Sequence, residues 1–325
     1  MDQARMKAIL DRLPEQLAYR AEVANKGALP EARSIVVGGM GGSHLSASLI
    51  KDIERMPGMA IRSDYGLPEL APEAAKDALY IAVSHSGNTE ETLDFADQAL
   101  KRRLPLAVVS TGGALLRLAR DRGLPHVAIP LDDAIPPRLA TGYMATALYA
   151  LMGMESSLAR LGAIARSLAE EGDALEAEAA ALVDAIGEAV PLVYSSASDY
   201  SLAYYLKIAM NETAKRPAFC GAFPEMDHNE LAGFTLDGSS APYCMVTIRD
   251  PEDHPRISRR MDLTESIVAG KGARTARIAL SGADRPERFW RAVMVIARAS
   301  FGSAQRRGVD PVETALIESF KKSLS

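Results

Sequence analysis

Three short loops rich in glycine and hydroxyl side chains each follow an apolar run. They are Gly38-Gly39-Met40-Gly41-Gly42-Ser43, Ser84-His85-Ser86-Gly87-Asn88-Thr89 and Ser110-Thr111-Gly112-Gly113. Glycine lets the backbone approach an anion, and a helix N-terminus adds free N–H groups and the positive end of a dipole. A dinucleotide fingerprint needs glycine at its sixth position; counted from Gly39 that position is His44, so the fingerprint fails. In the second loop two serines, a glycine and a threonine converge just before a helix. Asn88 and Glu91 have the spacing of a capping box there. Hydroxyls and backbone N–H groups hold a phosphate dianion without a metal and release it readily. The third loop says little by itself.

The elements that carry these loops alternate. Ser34–Val37, Met59–Arg62, Leu79–Val83, Leu106–Val109 and His126–Ile129 read as strands. Between them Ser43–Arg55, Thr89–Arg103 and Ala114–Arg122 read as helices, which predicts right-handed crossovers and a parallel sheet. A loop over 130–138 leads to a helix over 140–152. An Ala- and Glu-rich stretch, Leu158 to Ala189, reads as a solvated helix connecting two domains. The alternation then restarts, with strands at Leu192–Ser195, Ala218–Phe223, Cys244–Ile248 and Thr275–Leu280 and helices at Ser201–Ala214 and Arg285–Arg307. A last helix begins after Pro311. Residues 251–307 hold twelve Lys or Arg against six Asp or Glu, spread as solvated helix faces would be. The pattern is two α/β layers in tandem, in an α-β-α sandwich arrangement with mainly parallel sheets, and the expected domains are 1–155 and 156–325.

Composition narrows the class. At roughly 150 residues per domain, 325 residues make about two. The formal charge of −5 argues against a dedicated nucleic-acid binder. Cys220 and Cys244 make no disulfide framework, which fits a reducing, cytoplasmic setting. The longest apolar stretch, Tyr143 to Met154, is far short of the roughly 20 residues that span a membrane. Met1 to Glu15 alternates charged and apolar residues, unlike a signal peptide.

The SxSGxT pattern of the second loop resembles the sugar isomerase (SIS) fold. Further features resemble the short bifunctional phosphoglucose/phosphomannose isomerases: Gly38–Ser43, Asp64-Tyr65, Thr111-Gly112-Gly113, and Arg138 in Pro137-Arg138-Leu139-Ala140. So do Asn211-Glu212-Thr213-Ala214-Lys215, Pro224-Glu225-Met226-Asp227-His228-Asn229, Asp310-Pro311 and Ile317-Glu318-Ser319-Phe320-Lys321. The resemblance runs along nearly the whole chain, in order. It implies two tandem SIS-type domains. It also implies that Ser43, Ser84, Ser86 and Thr89 bind phosphate and that Gly42 lets the sugar approach. By the same likeness Arg138 faces the reacting carbons, Glu212 is the base, His228 opens the ring and Lys321 lies near the sugar. Thr314 matches the threonine linked to accepting the mannose epimer. His85 departs from the family pattern, where an aromatic or apolar residue is usual.

The chemistry suits these residue types. Aldose–ketose isomerisation moves a proton between C2 and C1 through a cis-enediolate, which one carboxylate such as Glu212 can do. A fixed guanidinium such as Arg138 stabilises the developing charge. An imidazole such as His228 titrates in the range needed to protonate the ring oxygen. No metal or redox cofactor is needed, and no HxH or HExxH pattern supports a metal site. The expected partner is a phosphosugar, with no nucleic acid and no membrane, and the resemblance implies a homodimer with shared active sites. The rivals are an isomerase of another phosphosugar and a non-catalytic phosphosugar sensor. The glutaminase-coupled amino-sugar form would need an N-terminal cysteine, where this chain has Met1-Asp2. Sensors of the bacterial type carry a helix-turn-helix segment, for which there is no pattern here, and would have no use for Glu212, His228 and Arg138 together.

Overall fold

Strands buried on both faces need continuous apolar runs, and the first half of the chain supplies them. A computed structural model describes residues 3–130, 135–238 and 240–324. Residues 131–134 of the loop expected over 130–138, and the last residue of the chain, lie outside the described residues. Packing divides the chain into two units, each with its own sheet. The first is Arg12–Glu170; the second is Glu171–Ser325 together with the opening helix, α1 (Gln3–Asp11).

The first unit runs α2 (Leu13–Leu17), β1 (Ser34–Gly38), α3 (Gly42–Ile53), β2 (Ala60–Arg62), α4 (Pro72–Lys76), β3 (Ala78–Ser84) and α5 (Glu90–Lys101). It continues through β4 (Leu106–Ser110), α6 (Gly113–Asp121), β5 (His126–Ala128), α7 (Thr141–Leu151) and α8 (Glu155–Glu170). The sheet order is β2-β1-β3-β4-β5, with every neighbour parallel. Every residue of central β3 is buried. Tyr80, Phe95, Leu106, Val108 and Leu115 form the core against one face. The order changes direction between β1 and β3, so the loops leaving these two strands flank the crevice where open α/β sheets bind ligands.

The second unit runs α9 (Gly172–Ile186), β6 (Val190–Ser196), α10 (Tyr200–Glu212), β7 (Phe219–Phe223) and β8 (Tyr243–Arg249). It ends with α11 (Pro255–Gly270), β9 (Arg274–Ala279), α12 (Arg285–Arg307) and α13 (Ala315–Leu324). Its parallel sheet has the order β7-β6-β8-β9, the pattern of the first four strands of the other unit. Tyr194, Phe223, Met226, Met245 and Met261 pack in its core.

Two expectations fail together. The Ala- and Glu-rich stretch is not one solvated connector but two packed helices, interrupted at Glu171. Helix α8 buries Leu161, Ile164, Ala165 and Leu168 in the first unit, whereas α9 buries Leu175, Ala179, Leu182, Val183 and Ile186 in the second. Nor are the basic residues of α12 a solvated face: Arg285, Arg288, Arg291 and Arg298 are 4–8% exposed. The two misreadings share one cause. Arg291 pairs with Glu171 at 2.7 Å and Glu178 at 2.6 Å, and Arg298 lies 3.8 Å from Glu176, so the glutamates of one segment neutralise the arginines of the other.

Candidate active site

The second loop begins where β3 ends. Ser84, its last residue, is buried; its Oγ accepts from the Gly87 N–H at 3.0 Å and lies 2.9 Å from Thr89 Oγ1. Ser43, at the start of α3, is also buried, and its Oγ accepts from the His85 N–H at 3.1 Å. The loops that follow β1 and β3 are therefore clasped to each other. Ser86 is exposed, and its Oγ accepts from the Asn88 N–H at 3.3 Å.

The capping box expected from Asn88 and Glu91 does not form. Thr89 is the N-cap of α5, one residue later than the pattern required, and Asn88 Oδ1 instead accepts from the Ala114 N–H at 3.0 Å. That bond belongs to a larger clasp with the third loop. The Thr111 N–H and hydroxyl both donate to the His85 carbonyl, at 3.1 and 2.6 Å, and the Leu115 N–H donates to Gly87 O at 2.9 Å. Gly87 has φ of +69°, and a Cβ there would sit 1.9 Å from Gly112 O. The third loop is thus the brace of the second, a role that Ser110-Thr111-Gly112-Gly113 did not reveal in isolation.

Arg138 lies in a 3-10 turn, Pro137–Leu139, and is 2% exposed. Gln16 Nε2 holds the turn by donating to Leu139 O at 2.8 Å. A Cβ on Gly42 would meet Arg138 N at 2.8 Å, so only glycine allows the turn to lie against the start of α3. The structure therefore gathers Gly42, Ser43, Ser84, Ser86, Thr89 and Arg138 at the carboxyl ends of β1 and β3. Burial holds the His44 and His85 imidazoles below their usual range. Near neutral pH the two histidines add no charge to these loops.

Glu212, His228, Thr314 and Lys321 belong to the second unit. Glu212 is the half-buried last residue of α10. Its neighbour Asn211 accepts from the Ala218 N–H at 2.9 Å and so ties the end of α10 to the start of β7. Two turns earlier, burial and the nearby Cys220 and Glu212 groups push the Tyr204 phenol up, with Lys207 Nζ 5.3 Å above its ring.

After β7 the chain makes a short 3-10 turn, Glu225–His228. Met226 anchors it, fully buried, and Asp227 accepts from Arg260 Nη1 and Thr264 Oγ1, both at 2.9 Å. On the far side Asn229 Nδ2 donates to Glu225 Oε1 at 2.9 Å, and the Tyr194 hydroxyl donates to Glu230 Oε2 at 2.7 Å. The turn is pinned at both ends, and exposed His228 stands between the pins. Sequence reasoning assigned no role to Met226 or Asp227, although both stand beside the histidine. Thr314 precedes α13, its carbonyl accepting from the Glu318 N–H at 3.0 Å. Lys321, on α13, lies 2.7 Å from Glu318 in an exposed ion pair. His254 caps α11 by accepting from the Arg256 N–H at 3.1 Å. Among the described residues no group of three or more His, Cys, Asp or Glu side chains is arranged to hold a metal ion, and no helix is long and apolar enough to cross a membrane.

The model of the bacterial phospho-glucose isomerase C-terminal SIS domain matches residues 175–324. The bifunctional phosphoglucose/phosphomannose isomerase of Pyrobaculum calidifontis is 30% identical over 325 residues, covering 98% of this chain and 97% of that protein. The protein of the same description from Aquifex aeolicus is 29% identical over 297 residues, covering 90% of each. Among solved structures, a hypothetical protein from Thermus thermophilus superposes with a TM-score of 0.71 at 18% identity, covering 98% of this chain and 89% of that one, a likeness of fold alone.

Proposed function

The chain belongs to the family of bifunctional phosphoglucose/phosphomannose isomerases, and from that we infer that it is an aldose–ketose isomerase acting on glucose 6-phosphate and mannose 6-phosphate, with fructose 6-phosphate as the ketose. The observation that carries the reading is the pair of hydroxyl-bearing loops clasped at the switch point of the first sheet, Ser43 to His85 and Ser84 to Thr89. Such a cradle holds a dianion with neutral donors, so product can leave.

In the mechanism we put forward, Ser43, Ser84, Ser86 and Thr89 bind the phosphate and Gly42 admits the sugar. His228 protonates the ring oxygen and opens the ring. Glu212 takes the proton from C2 and returns it to C1, through a cis-enediolate whose oxygens face Arg138. Lys321 lies near the sugar, and Thr314 leaves room for either epimer at C2. The assembly is a cytoplasmic homodimer with shared sites. The outward, doubly pinned turn that carries His228 supports that reading, because a rigid exposed turn can serve a neighbouring chain.

Glu212→Gln tests the mechanism. The change keeps the shape and removes the proton acceptor. Turnover of fructose 6-phosphate is expected to fall by about 10³-fold or more while phosphosugar binding survives. A variant within tenfold of wild-type turnover would remove Glu212 as the base.

A further inference from the structure

The two units share one strand pattern, so each has a switch point: between β1 and β3 in the first, between β6 and β8 in the second. In the first unit the loops beyond those strands form the hydroxyl cradle. In the second the corresponding loops carry an internal ion network. Asp199, immediately before α10, is wholly buried; Oδ1 accepts from Arg285 Nη2 at 2.7 Å and Ser198 Oγ at 3.2 Å, and Oδ2 accepts from Ser196 Oγ at 3.1 Å. Arg285, at the start of α12, also donates to Asp250 Oδ2, just past β8, at 2.9 Å and to the Ser198 carbonyl at 2.8 Å. Arg288, one turn on, lies 3.2 Å from Asp250 and also pairs with Glu252.

The chain's own carboxylates thus occupy the place where the first unit offers donors to an anion. Apolar side chains could close the same space without the desolvation cost of several buried charges. What the network adds is direction. Helix α10 spans 13 residues from Tyr200 to Glu212, on the order of 20 Å. Leu202, Leu206, Ala209 and Met210 bury its inner side. Such contacts are non-directional, whereas hydrogen bonds fix position along the axis as well. The hydrogen bonds of Asp199 fix one end; the Asn211 bond ties the other only to the neighbouring β7, so the helix carries the placement set at Asp199 along to Glu212.

We propose that Asp199 and Arg285 are positioning residues for Glu212: their network closes the second unit's switch point to ligands and sets the axial placement of the helix that bears the base. The proposal rests on the reading of Glu212 given above.

Three variants decide it: Asp199→Asn, which keeps the shape but removes the charge that holds Arg285; Arg285→Lys, which keeps a charge but loses the fork; and Glu212→Gln. For Asp199→Asn, kcat is expected to fall about ten- to hundred-fold, since small misplacements of a reacting group cost that much. KM for fructose 6-phosphate and inhibition by inorganic phosphate should stay within twofold, because the phosphate loops belong to the other unit. Arg285→Lys should show the same split to a lesser degree, and it carries the test if Asp199→Asn lacks a cooperative melting transition. A folded variant with kcat within twofold of wild type, or one in which KM rises as much as kcat falls, overturns the proposal. If Glu212→Gln is inactive while Asp199→Asn turns over normally, the positioning role alone falls. If Glu212→Gln turns over normally, the base assignment falls and the positioning role with it.

Discussion

His85 follows Ser84 in the loop after β3 without lending that loop a charge. Burial lowers its pKa, so the folded chain binds that proton at lower pH than the unfolded chain does. Its contribution to stability is therefore present above about pH 6.5 and is lost as pH falls below that value. His85→Gln removes this dependence. Urea unfolding at about pH 7.5 and about pH 5.5 should show the wild type losing more stability than the variant on acidification. A wild-type-to-variant difference that is the same at both pH values would contradict a partly buried, neutral imidazole. The backbone of the same residue does separate work, donating to Ser43 and accepting from Thr111, and that part survives any side chain.

At the scale of elements, the pairing of α9 with α12 is held by more than its apolar stripe. Arg291 is nearly buried, while its partners Glu171 and Glu178 are 31% and 49% exposed. Its loss leaves carboxylates that water can still reach. Arg291→Ala should therefore cost about 1–2 kcal/mol, between the values for exposed and fully buried pairs. A chemical melt measures it; no change would mean that the pair is ornamental. The same helices show where sequence reading stops. The strands are legible because a parallel strand covered on both faces must be apolar along its length, as the run over 78–83 is before Ser84 ends it. Helix α12 is legible at both ends, with Asp284 capping one and Gly308 the other. Helix α11 is not legible because two of its four buried residues, Thr264 and Glu265, are polar, which erases the apolar period. The charged faces of α9 and α12 read as solvent-facing because a pattern of charges does not say which segment answers it. At the site, the residue types of the loops and their order are legible. The clasp is not, since it runs through the His85 and Gly87 carbonyls, which the identity of the residues does not encode.

The proposal that the site is shared between two chains has its test at the scale of the whole molecule. Exposed His228 stands on a turn fixed by Met226 and Asp227, and Glu212 closes a different helix. In a homodimer whose sites take one residue from each chain, two dead variants complement each other. Co-expression of Glu212→Gln with His228→Ala makes about half the dimers mixed, and each mixed dimer then holds one intact site, so roughly a quarter of all sites should recover. Activity no greater than that of the separate variants, with mixed dimers confirmed by mass, would put both residues of a site on one chain.

The central claim is the reaction itself, and it is tested most directly by coupled assay of the purified, metal-free chain with glucose 6-phosphate, mannose 6-phosphate and glucosamine 6-phosphate, with Glu212→Gln prepared alongside. Fructose 6-phosphate should form from both glucose 6-phosphate and mannose 6-phosphate with the wild type, and from neither with Glu212→Gln. Wild-type protein that binds glucose 6-phosphate but forms no ketose from it, or that turns over only the amino sugar, would contradict the assignment.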